Sequence, residues 1–180
     1  LSFADENLII ETFERVIKNA ANKYLKTPIK HNFLRMDYEE AMRLYGSDKP
    51  DLRFDMPLIE LNEEVKNCNF KVFTSTLENK GLVSALCVKN EAQNFSRKRL
   101  DELTEFVKSF GAQGIAWIKH TDSKESHWTG PIAKFFDNET RQKIDKKMQA
   151  NPEDLYLFCA GDKETVRQSL GALRNKLGAE

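Results

Sequence analysis

The chain is divided by the run Gly46-Ser47-Asp48-Lys49-Pro50-Asp51. No regular element can pass through it. Gly46 and Ser47 stop a helix, Pro50 fixes its own φ, and the proline ring pushes Lys49 out of the helical region. The residues on either side of the run must therefore be joined through an extended turn. The two sides also differ in rhythm, with helical spacing before the run and mixed strand and helix patterns after it.

Before the break, Ile9, Phe13, Val16, Ile17, Ala20 and Tyr24 recur at helical spacing and predict an amphipathic helix over 3–25. Ser2, with Asp5 three residues on, reads as its capped start, and Thr27-Pro28 as its close. A shorter helix is expected over 37–45, with Asp37 as cap and Glu40 answering it. After the break, residues 58–61 read as a short extended piece and 63–67 as one helical turn. Residues 70–75 and 82–88 are rich in β-branched and aromatic side chains and read as two strands of a hairpin turning at Glu78-Asn79-Lys80-Gly81. Ser96 caps a helix carrying Leu100, Leu103, Phe106, Val107 and Phe110, ended by Gly111. A buried strand is expected over 114–119, a polar loop over 120–130, and a helical excursion over 131–148 broken at Asp137-Asn138. Residues 155–160 form the most apolar strand, and Asp162 caps a last helix with Val166, Leu170, Leu173 and Leu177. From residue 70 the order is β-β-α-β, a helical insert, then β-α. It predicts an α+β fold, two helices on one face of a four-stranded, mainly antiparallel sheet.

A chain of 180 residues buries roughly 70% of its unfolded surface and needs no disulfide or metal to fold. Twenty-eight basic and 28 acidic residues cancel, so the whole-chain field gives no drive toward nucleic acid or membrane. Cys68, Cys87 and Cys159 are odd in number and widely spaced, which argues against a disulfide framework or a zinc site and for a reducing, cytoplasmic setting. No apolar run reaches the ~20 residues of a membrane span. The start, Leu1-Ser2-Phe3-Ala4-Asp5, has no basic leader and no initiator methionine, and is expected to lie inside a longer protein.

The nine residues Tyr45-Gly46-Ser47-Asp48-Lys49-Pro50-Asp51-Leu52-Arg53 carry a resemblance, and other stretches extend it in order. These are Ser96-Arg97-Lys98 with residues 101–108, then 111–119, Gly130-Pro131-Ile132-Ala133-Lys134-Phe135, and Leu170-Gly171-Ala172-Leu173-Arg174. Together the chain resembles bacterial-type aspartyl-tRNA synthetases, over the segment containing the GAD insertion domain. The resemblance implies a β-β-α-β-β-α two-layer sandwich, DCoH-like, over 55–180. It implies that 1–54 comes after motif 2 of a class II catalytic domain, with helices 3–25 and 37–45 and the junction 45–53.

The same resemblance implies an aspartate–tRNA ligase as parent, using ATP and Mg²⁺, acting on tRNA(Asp) and working as a homodimer in the cytoplasm. Members of the family hold ATP with an Arg-bearing motif 2 and a Gly-rich motif 3, through planar bidentate guanidinium groups. Neither motif has a counterpart here. The expectation is that no residue of the chain is catalytic or an ATP ligand, and that the chain alone does not aminoacylate. The alternative is a free-standing GAD-type interaction or RNA-binding module, against which the 45–53 run and the first helix speak.

Two groups are candidate site residues. Ser47, Asp48 and Lys49 would lie near the active site of the intact enzyme, or else simply supply the turn chemistry of a Pro-fixed helix exit. Arg97, Lys98 and Arg99, with Lys71 and Lys134 as neighbours, would touch tRNA phosphates, or else form a solvated helix start beside Asp101 and Glu102. Like-signed charge at a helix N-terminus opposes the helix dipole. His120, Asp122 and His127 share a polar loop but lack a ligand pattern, so no metal site is expected. Trp117 and Trp128 read as core and loop anchors, and Lys143, Lys146 and Lys147 as a solvated face.

Overall fold

A computed structural model describes residues 3–25, 28–121 and 128–180. The chain falls into two compact units, divided between Met36 and Asp37.

The first unit is built on α1 (Glu6–Tyr24). Its cap is Asp5, whose carboxylate accepts from the Leu8 N–H at 2.8 Å; Ser2 and Thr27 lie outside the described residues. The segment after the helix runs back along it. Asn22 accepts from the Ile29 N–H and Glu14 from the Phe33 N–H, while Lys18 reaches both Glu14 and Asn32. Ile9, Phe13, Val16 and Ile17 remain exposed, and the helix buries no residue.

The second unit begins with α2 (Tyr38–Tyr45), β1 (Ile59–Glu60), α3 (Asn62–Val65) and α4 (Lys71–Glu78). It continues with β2 (Leu82–Val88), α5 (Arg97–Lys108), β3 (Ala116–His120) and β4 (Trp128–Thr129). A 3₁₀ turn (Ala133–Phe135), α6 (Asn138–Met148), β5 (Leu155–Gly161) and α7 (Lys163–Gly178) complete it. Asp37 stands at the start of α2 but makes no side-chain cap, contrary to expectation. Ser96, Asp137 and Asp162 do cap α5, α6 and α7 with their side-chain oxygens.

The α+β class is as expected, and the sheet has five strands rather than four, in the order β1-β2-β5-β3-β4, every described pair antiparallel. Both of its faces are covered, so the two-layer sandwich expected from the sequence, with helices on one face only, is not what forms: α3, α4 and α6 add a layer on the second face. Leu82, Leu86 and Val88 of β2 point with Leu155, Leu157 and Cys159 of β5 toward α5 and α7. The alternate residues Val83, Ala85, Cys87, Tyr156 and Phe158 point toward α3, α4 and α6. This period of two is the pleat itself, and it explains why β2 is buried along its whole length.

The hairpin expected from residue 70 is absent. Residues 71–78 form α4, and 79–81 lead from a helix into β2. Phe70, Phe73 and Leu77 fall at helical spacing and reach the second core, where Phe70 meets Phe73 edge-on at 4.8 Å. The hydroxyls of Thr74, Ser75 and Thr76 bond back to the carbonyls of Lys71 and Val72. Packing and this local bonding outweigh the β-propensity of Val72, Thr74 and Thr76.

Candidate functional site

The junction that divides the sequence is bound to α7. The αL position of Gly46 ends α2, with φ +64° and its N–H donated to Met42. Gly46 lies against the α7 backbone, where any Cβ would collide with the Arg167 carbonyl. A Cβ on Gly171 would stand 2.6 Å from the Gly46 oxygen and 2.7 Å from that of Tyr45. Two glycines thus let one backbone lie on another. The Leu58 N–H then returns to the Leu44 carbonyl at 2.7 Å, closing the junction as a loop.

Arg174 fills that loop. Its side chain is fully buried. Nε donates to the Met56 carbonyl at 3.0 Å, and Nη2 to the carbonyls of Asp51 at 2.9 Å and Phe54 at 3.0 Å. The guanidinium also lies over two rings, 4.7 Å from the Tyr45 centroid and 4.3 Å from that of Phe54. Burial lowers the guanidinium's pKa, while the charges around Tyr45, Asp51 and Asp55 oppose that. The Asp51 carboxylate chelates Arg53, which together with the Arg53 N–H holds its pKa down at about 2. Two turns earlier on α7, Arg167 donates to Glu60 of β1 at 2.8 Å and lies 3.7 Å from Glu39 of α2.

Of the expected junction residues, Ser47 is half-buried and its hydroxyl accepts from the Lys49 N–H at 3.1 Å; Asp48 and Lys49 are exposed. Ser47 therefore has a turn-forming contact, while the buried chemistry of the junction lies with Tyr45, Phe54 and Arg174. In the sequence, Arg174 and Gly171 stand out only as marks of resemblance. The carbonyl partners of Arg174 are 118 to 123 residues away in the chain, which no local pattern discloses.

The basic group on α5 is split. Arg97 and Lys98 are exposed, but Arg99 is bound to Glu180 and lies 3.6 Å from Glu102. Lys71 and Lys134 are not its neighbours. They sit on α4 and the 3₁₀ turn, which cover the opposite face of the sheet from α5. His120 is not in a surface loop either. It ends β3, buried, with Nε2 3.6 Å from Asp145 and Nδ1 without a partner among the described residues. Asp145 also accepts from the Trp128 indole and the Tyr156 hydroxyl. Asp122 and His127 lie outside the described residues. Among the described residues no group of three His, Cys, Asp or Glu is placed to hold a metal, and no helix is long and apolar enough to cross a membrane.

An antiparallel sheet with helices packed on both faces places the chain in the α+β class, and comparison with known proteins identifies the family within it. The GAD domain model matches residues 73–170, a little over half of the chain, and the chain belongs to the GAD domain family. Over 179 residues it is 45% identical to the Aspartate–tRNA(Asp/Asn) ligase of Bacillus cytotoxicus and 44% identical to the Aspartate–tRNA ligase of Halalkalibacterium halodurans. Those alignments cover 99% of this chain and 30% of each relative, so the chain spans under a third of their length.

Proposed function

We propose that the chain serves as the GAD-containing segment of an aspartate–tRNA ligase. The observation that carries this reading is the 44–45% identity to such ligases over 179 residues, which takes in the GAD unit, the junction and α1 alike. A free-standing GAD module would have no reason to keep residues 1–54 in that likeness. In this reading residues 1–54 belong to the catalytic domain and 55–180 to the insertion. The packing of α2 and the junction on α7 supports it, since the insertion is then held at its root by catalytic-domain residues.

The parent reaction activates aspartate with ATP and Mg²⁺ and passes the aspartyl group to the 3′ end of tRNA(Asp), in a homodimeric cytoplasmic enzyme. In this reading the planar donors that phosphate activation requires come from the rest of the ligase. The part of this chain is to support that reaction, with Ser47, Asp48 and Lys49 near the active site of the intact ligase and the exposed Arg97 and Lys98 facing tRNA phosphate. The test is a hybrid in which this chain replaces its counterpart in the Bacillus cytotoxicus ligase. The hybrid charges tRNA(Asp), and the 180-residue chain alone does not. A folded hybrid with no charging activity contradicts the reading.

A further inference from the structure

We propose that Arg174 is a positioning residue that latches the junction to α7, and that the latch is a receptacle specific for a guanidinium group. Three observations converge on it. The carbonyls of Asp51, Phe54 and Met56 all point at one buried side chain, from a stretch with no helix or strand. Two aromatic faces, Tyr45 and Phe54, close over the same cation. Met56 is held at φ +94°, a conformation that a side-chain-bearing residue keeps only where its surroundings impose it, and its carbonyl is the acceptor for Nε.

The geometry selects guanidinium over ammonium. Three carbonyls are met by two nitrogens of one planar group, and the same group lies over the two rings. A lysine ammonium is a point donor on a shorter reach and cannot fill both roles. The inference deepens the proposed function and rests on it for its consequence in charging. In a ligase, a latch at the root of the insertion fixes the path of the chain between catalytic domain and insertion, so its loss would act on charging through position and not through contact with substrate.

The latch is tested on the 180-residue chain, independently of any charging assay, so its failure is separable from failure of the ligase reading. Hydrogen exchange is measured at the amides of Gly46, Arg53 and Leu58, which report the junction, and at β2 and β5, which report the sheet. Arg174→Ala speeds the junction amides about tenfold or more and leaves the sheet protected. Millimolar ethylguanidinium restores the junction; ethylammonium does not. Arg174→Lys behaves as Arg174→Ala without rescue. Unchanged junction exchange in Arg174→Ala overturns the proposal. So does equal rescue by both cations, or a junction fully protected in Arg174→Lys. If Arg174→Ala unfolds outright, Arg174→Lys decides, and loss of sheet protection there too would make Arg174 a general core residue and overturn the latch.

Discussion

Gly46 and Gly171 meet backbone to backbone, one at the end of α2 and the other in the middle of α7. A methyl on Gly171 would stand 2.6 Å from the Gly46 oxygen, with the Tyr45 oxygen at 2.7 Å. Both obstacles are main-chain atoms, which cannot rotate away as a flexible side chain would. Gly171→Ala therefore pushes α2 and the junction off α7. The expected loss of stability is about 1–3 kcal/mol, the usual cost of overpacking, against the gain in helix propensity that alanine brings elsewhere. Urea unfolding measures it. A stabilised Gly171→Ala chain would show that the contact is not there.

Asp154 supplies a second prediction, on pH. Its carboxylate is fully buried just before β5 and accepts from the N–H groups of Asn90 and Asn151 and from the Lys89 ammonium at 2.9 Å. Burial pushes its pKa up, but those donors outweigh burial and the net direction is down. A folded pKa below the unfolded one means stability that is fully present above the unfolded value, ~3.9 for aspartate, and is lost as pH falls through the folded value. Unfolding midpoints should thus fall steeply below about pH 4. Asp154→Asn removes this component of the acid slope and lowers stability by about 3 kcal/mol at neutral pH, since it weakens a buried, multiply bonded site. An unchanged acid profile in Asp154→Asn refutes the assignment.

The three cysteines are predicted to be inert in the folded chain. All are buried and unpaired. Burial raises each thiol: Cys87 to about 12, with the Asp154 carboxylate adding to it, Cys159 to about 11, and Cys68 in the same direction. Thiolate is the reactive form. An aromatic disulfide reagent at about pH 8, near the ordinary thiol pKa, should label the native chain slowly and all three thiols promptly in denaturant. A fast native phase would place a thiol at the surface.

Much of the second unit is legible in its residues, and the exceptions have physical reasons. Ser96 and Asp162 sit just before apolar residues at helical spacing, so local capping and tertiary packing agree, and α5 and α7 appear as expected. Residues 155–161 are apolar without alternation because both sheet faces are covered. The strand expected at 70–75 fails because Val72, Thr74 and Thr76 mimic one, while the deciding contacts of Phe73 come from Phe136 and Phe158, distant in the chain. The loop expected at His120 fails because a polar residue beside a polar stretch gives no sign that Asp145 will face it. The junction's break is plain in Gly46 and Pro50; that Arg174 fills it is not.

Asp162 offers a smaller, local check. Its carboxylate accepts from the N–H groups of Glu164 and Thr165 at 3.1 and 3.2 Å, which also lower its pKa. Asp162→Ala should cost about 1 kcal/mol, the usual worth of a helix N-cap, while Asp162→Asn keeps most of it. Equal stability for all three chains would mean that the α7 start is held by other contacts.

The central structural claim is that α2 and the junction are part of the folded unit that α7 organises. Two shortened chains test it most directly, one spanning 37–180 and one spanning 55–180, compared by urea unfolding. The first retains every acceptor of Arg174 and should unfold in one cooperative transition. The second lacks the Asp51 and Phe54 carbonyls and both the Tyr45 and Phe54 rings, and should be less stable by about 3 kcal/mol or more, the cost of leaving a buried guanidinium short of partners. Equal midpoints for the two chains would contradict the account.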